Sequence, residues 1–141
     1  MTYKYDGFNY VIRLNKDERL SEALKEFLQK TEVDGAWILG IGGAQEATLG
    51  FYSLKTKQYN WRTFSDLMEV TSLQGNIAVD EDGEPVFHMH GTFAGEDFNS
   101  FGGHVKDLIV GGTLEIFVHR TDDMPLSRKH DTEVGLDLLD L

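Results

Sequence analysis

Apolar residues recur at every second position along most of this chain and at helical spacing in one place only. Between Tyr5 and Leu14, the residues Phe8, Tyr10, Ile12 and Leu14 alternate with more polar ones, the period of a strand with one buried face. The exception is Leu20, Ala23, Leu24, Phe27 and Leu28, whose i, i+3, i+4, i+7, i+8 spacing predicts one amphipathic helix over roughly residues 16 to 30. Asn15 and Glu18 before it have the spacing of a capping box, with Asn in the place of Ser or Thr. A chain with one helix and many half-buried strands is confined to sheet architectures, the helix covering part of one sheet face.

The other runs supply the strands. Ala36 to Leu39 is closed by Gly40, Gly42 and Gly43, and Ala44 to Leu54 continues to the polar Lys55-Thr56-Lys57, which predicts a hairpin into Gln58 to Phe64. Leu67 to Val79 alternates, and Asp80-Glu81-Asp82-Gly83 tolerates the left-handed backbone of a tight turn, predicting a second hairpin into Pro85 to Phe93. Leu114, Ile116 and Val118 mark a further long strand, Arg120 to Glu133 is polar, and Val134 to Leu141 is apolar enough to dock as an edge strand. The expectation is an α+β fold of about seven strands, mainly antiparallel, with one long flanking helix. A length of 141 residues suits a single domain over 1–141, with its core in 5–120 and a C-terminal tail in 121–141.

Charge narrows the partners. With 24 acidic and 13 basic side chains the net charge is -11, which repels a phosphate backbone and disfavours direct nucleic-acid binding. There is no cysteine, so any transition metal must be held by histidine and oxygen. The first residues lack the apolar stretch and small-residue cleavage site of a secretory signal, and no run approaches the ~18 apolar residues of a membrane span. A cytoplasmic protein without membrane contact is the expectation.

The chemistry concentrates in Pro85-Val86-Phe87-His88-Met89-His90-Gly91-Thr92-Phe93. On a strand Phe87, Met89 and Phe93 point one way and His88 and His90 the other, with the i and i+2 positions roughly 6.5 to 7 Å apart. Both imidazoles can then reach one ion. A zinc site wants three or four protein ligands, and His104 is the candidate third. Gly102 and Gly103 before it predict a turn that swings His104 back across the preceding strand. Three neutral imidazoles with an open position suit a divalent metal, zinc first, with nickel and copper also compatible by ligand type. Glu69 and Glu115 are the carboxylates within strand-like segments that could join such a cluster as a fourth ligand, orient it, or serve beside it as a general base, against the alternative of solvated outer-face positions. His119 and His130 stand outside it.

Gly40-Ile41-Gly42-Gly43-Ala44 has neither G-x-G-x-x-G spacing nor a Gly-Lys-Ser/Thr ending and is read as a turn or bulge rather than a phosphate loop. No serine or threonine sits in a G-x-S-x-G elbow, and no residue is assigned a catalytic role.

Taken in order, Tyr10-Val11-Ile12-Arg13-Leu14, Gly40-Ile41-Gly42-Gly43-Ala44, Leu49-Gly50-Phe51-Tyr52, Tyr59, Glu69 to Ile77 with its Ser72-Leu73-Gln74-Gly75, His88-Met89-His90 and Gly102-Gly103-His104-Val105 resemble the plants-and-prokaryotes-conserved (PPC) domain from about Tyr10 to Arg120. The resemblance implies a seven-stranded, mainly antiparallel sheet with a flanking helix, assembled as a homotrimer. It also implies the stand-alone prokaryotic type, which has the histidine trio and lacks the Arg-Gly-Arg-Pro AT-hook carried by the plant transcriptional regulators. Two functions follow: a trimer binding a zinc-like metal and a small-molecule ligand, or an oligomerisation module regulating transcription through protein partners or, against its charge, DNA.

Overall fold

The computed structural model describes residues 1–121 and 124–141; positions 122 and 123, inside the polar segment read from Arg120 to Glu133, lie outside the described residues. In chain order the elements are β1 (Thr2–Tyr5), β2 (Asn9–Asn15), α1 (Leu20–Thr31), β3 (Ala36–Ser53), β4 (Gln58–Phe64), β5 (Met68–Val79), β6 (Pro85–Ala94), β7 (Ser100–Arg120), β8 (Ser127–Asp131) and β9 (Leu136–Asp140). The expected count of seven strands is corrected to nine among the described residues, in one mixed sheet whose main path is β1-β2-β7-β3-β5-β8-β9. Among the described residues all pairings are antiparallel except the contact of Val79 on β5 with Ser127 on β8.

Each departure has a local cause. The Tyr5 to Leu14 run is split because Asp6 turns the chain: its carboxylate accepts from the backbone N–H of Phe8 (2.8 Å) and of Asn9 (2.7 Å), and Gly7 has φ +103. Conversely, the glycines after Leu39 do not end a strand. β3 runs through them with register shifts between Gly40 and Gly42 against β5 and between Gly42 and Ala44 against β7, so they act as bulges that bend a continuous strand. That bend lets β3 pair with β5, β7 and β4 along its length, and β3, β5, β6 and β7 close on one another in a ring.

The helix starts later than its spacing suggested. Asn15 is the last residue of β2, Asp17 has φ 69, and Arg19 occupies the N-cap without a side-chain bond. Glu18 does reach back to the Asn15 N–H at 2.7 Å, half of a capping box, but it closes a turn ahead of the helix. The first helical turn is satisfied from β7: Asp107 accepts from the Ser21 N–H (3.1 Å), the Ser21 hydroxyl (2.8 Å) and Arg19 Nη1 (3.0 Å). Leu20, Ala23, Leu24 and Phe27 are buried against the inner sheet face with Tyr10, Ile12, Leu14, Leu114, Ile116 and Val118.

Alternation leaves the opposite face bare. Val11, Trp37, Leu39, Ile41 and Phe117 are large, apolar and exposed on the neighbouring strands β2, β7 and β3. At the C-terminus, β8 and β9 form a hairpin beside β5, seated by buried Leu126. No helix among the described residues is long and apolar enough to cross a membrane.

Candidate metal centre

His88 and His90 share one face of β6, while Met89 and Phe93 enter the core on the other. His104 lies directly opposite His90 across the antiparallel β6–β7 ladder. It is also opposite Gly50 of β3, so it occupies the fork at which β7 passes from one partner strand to the other. Gly102 and Gly103 are therefore not the turn expected of them but residues within β7; the chain reverses earlier, between β6 and β7. Their smallness serves close approach: a Cβ on Gly102 would stand 2.4 Å from the Gly91 carbonyl oxygen, and one on Gly103 would stand 2.9 Å from that of Gly50.

The trio converges. One ligand atom from each of His88, His90 and His104 lies within 4.8 Å of the others. The ring centroids are 5.2 Å (His88–His90), 5.4 Å (His88–His104) and 5.5 Å (His90–His104) apart. A zinc ion contacts imidazole nitrogens at about 2.0–2.1 Å, so the three rings would draw closer together around it. His88 and His104 are half-buried and His90 is exposed, leaving one open side. Nδ1 of His104 is buried and has no hydrogen-bond partner, which leaves it an available ligand atom; Arg128 Nε is the other such side-chain atom among the described residues.

Electrostatics keep the two half-buried rings uncharged. Burial, then neighbouring His88 and His90, then the guanidinium of Arg128 push the His104 pKa down to about 4. Burial, Arg128 and His90 lower that of His88. Neutral imidazole is the form that ligates metal.

The wall of the site comes from residues the sequence did not single out as a group. Because Gly50 has no side chain, the rings of Trp61 and Tyr59 fill the space its Cβ would take, at 2.5 and 2.8 Å. Tyr59 lies 5.0 Å and Trp61 5.9 Å from the His104 ring, Tyr59 stacks on Trp61 at 4.5 Å, and Tyr52 touches Tyr59 at 4.9 Å. Arg128, from the polar segment, reaches Asn76, the cross-strand partner of His88. No periodicity marks an arginine in a polar stretch, so only the fold reveals it.

Glu69 and Glu115 do not join the cluster. Glu69 pairs with Gly43 and Ala94, Glu115 with Ile41 and Arg13, and both are exposed beside a different, shallow depression that includes Ile41, Val70 and Thr113. Register places them: Glu69 is several rungs from the Gln74–His90 pair along β5, and Glu115 lies toward the far end of β7. His119 Nδ1 instead meets Asn9 Oδ1 at 2.7 Å and His130 Nδ1 meets Asp137 Oδ1 at 2.8 Å.

The family model described as the Plants and Prokaryotes Conserved (PCC) domain matches residues 1–122. Among solved structures, a candidate DNA-binding protein from Bacteroides thetaiotaomicron is 31% identical with a TM-score of 0.92, the match covering 99% of this chain and 96% of that one. A candidate DNA-binding protein from Ralstonia eutropha is 32% identical with a TM-score of 0.90, covering 99% and 95%. A metal-containing protein from Archaeoglobus fulgidus is 27% identical with a TM-score of 0.88, covering 100% and 99%. Nothing among curated proteins matches the chain.

Proposed function

The chain belongs to the Plants and Prokaryotes Conserved domain family, and on that premise we propose that it is a metal-binding domain in which His88, His90 and His104 hold one divalent cation, zinc by preference. The observation that carries this reading is the convergence of His88, His90 and His104, whose ligand atoms lie within 4.8 Å of one another, together with a buried His104 Nδ1 that has no other partner. Three neutral nitrogen ligands and an open side suit zinc better than the oxygen-loving calcium or magnesium. The related A. fulgidus protein is described as metal-containing, which adds support. Bound zinc would supply a Lewis acid that lowers the pKa of a coordinated water. Around it this chain's own residues hold two imidazoles neutral and wall the site with Tyr59 and Trp61.

A homotrimer is part of the proposal. The exposed stripe of Val11, Trp37, Leu39, Ile41 and Phe117 supports it, since one helix covers only the other face. So is a cytoplasmic location, in keeping with a chain that has no cysteine for disulfides.

The test is metal analysis of protein purified without a nickel column or a His-tag. About one equivalent per chain, lost in His88→Ala, is the expected result; substoichiometric metal unaffected by that substitution would sink the site. The candidate DNA-binding relatives favour a second reading, a regulatory oligomerisation module acting through protein partners or DNA. The net charge of -11 opposes the DNA form, and a mobility-shift titration near physiological salt decides it.

A further inference from the structure

Arg128 is a charged residue with only 6% of its surface exposed. It stands on β8, beyond the residues the family model matches. Its Nη1 donates to the Asp137 carbonyl oxygen at 2.8 Å and its Nη2 to Asn76 Oδ1 at 2.7 Å, while Nε–H is buried with no partner. Asn76, itself buried, is the cross-strand neighbour of His88, so these bonds fix the guanidinium beside the histidine cluster. Its charge is felt at both His88 and His104.

A divalent ion held by three neutral imidazoles keeps its full charge, and Arg128 adds another. Among the described residues no carboxylate joins the cluster. Asp137 acts electrostatically on Arg128, but its Oδ1 is engaged by His130 at 2.8 Å. A buried cation without a matched anion is costly, and a guanidinium with free N–H groups is shaped to pair with an oxyanion. The aromatic wall of Tyr52, Tyr59 and Trp61 limits the space beside the rings. The Tyr52 hydroxyl ties that wall to the C-terminal hairpin by donating to the carbonyls of Val134 (2.9 Å) and Gly135 (3.1 Å).

Resting on the metal reading above, we propose that this centre is an anion site. A small oxyanion, a carboxylate or a phosphate group, binds beside the histidine cluster with Arg128 as its countercharge. The C-terminal hairpin is thereby a working part of the site, since it carries the residue that selects the sign of the ligand.

The test uses the full chain loaded with cobalt(II) in place of zinc, whose visible absorption reports its ligands. Cobalt stoichiometry is measured first, by equilibrium dialysis, and cooperative melts establish that each variant is folded. Sodium acetate and inorganic phosphate are then titrated separately at about pH 7.5 against wild type, Arg128→Met and Arg128→Lys. The expected result is one equivalent of cobalt and a saturable spectral change with at least one of the two anions. Arg128→Met should weaken that anion by about tenfold or more, as expected for loss of a charge-assisted hydrogen bond, and Arg128→Lys by less. Which anion saturates first separates the carboxylate from the phosphate source. Bound cobalt whose spectrum ignores both anions, or answers them with equal affinity in wild type and both variants, overturns the anion site and leaves the metal site standing. Failure to bind cobalt overturns the metal reading itself and this inference with it. Should Arg128→Met not fold, Arg128→Lys decides: anion affinity unchanged from wild type overturns the proposal.

Discussion

At the scale of single residues, the site depends on imidazoles being neutral. His104 has a folded-state pKa of about 4, below its ordinary value of 6.5. Its contribution to stability is therefore full above about pH 6.5 and is lost progressively as pH falls toward about 4, because the unfolded chain takes up the proton first. Melts of EDTA-treated protein should show Tm falling between about pH 7.5 and pH 5, and His104→Gln should remove part of that slope. A variant retaining the whole slope would show that other groups cause it. A second expectation concerns Gly102, where an alanine Cβ would stand 2.4 Å from the Gly91 carbonyl oxygen. Gly102→Ala should cost about 1–3 kcal/mol by urea denaturation, as overpacking does, and should weaken metal binding because it spreads β6 from β7. The alternation rule was enough to put His88 and His90 on one face from sequence. His104 was legible as a ligand type, but its glycines suggested a turn, because sequence cannot tell a glycine needed for conformation from one needed for clearance. Arg128 left no trace at all: what matters is its burial against Asn76, a contact between segments 52 residues apart.

Elements explain why the histidines meet. β6 and β7 hold His90 and His104 in register, and β7 changes partners at His104, which faces Gly50 of β3 as well as His90. β7 also anchors the helix through Asp107. Asp107→Ala removes the acceptor for the first helical turn and should cost about 1–2 kcal/mol, similar to loss of an N-cap, with the metal stoichiometry unchanged. Equal stability of the variant by urea denaturation would mean that solvent caps the helix as well. The strands with clear turn chemistry were legible nearly to the residue: Gln58–Phe64 was read outright and Pro85–Ala94 to within one position. The misread elements are those whose boundaries are set by distant partners, such as the continuous β3 and the strand β8, which a polar composition hides; β9 does stand at the sheet edge, where the apolar run Val134 to Leu141 was expected to dock.

For the whole molecule, the bare apolar stripe is the feature that a lone chain leaves unexplained. Light scattering should give about three times 15.9 kDa, and Leu39→Glu, in the middle of the stripe, should shift the particle toward the monomer; a wild type that stays monomeric on concentration would remove the trimer from the account. The net charge of -11 opposes a protein that grips DNA through its phosphates. At this scale the central claim remains the metal, and crystals grown with zinc give its most direct test through an anomalous difference map at the zinc edge. One strong peak per chain, ringed by His88, His90 and His104, is the expected result. A map with no peak there, or with its peak at other side chains such as Glu69 and Glu115, would contradict it.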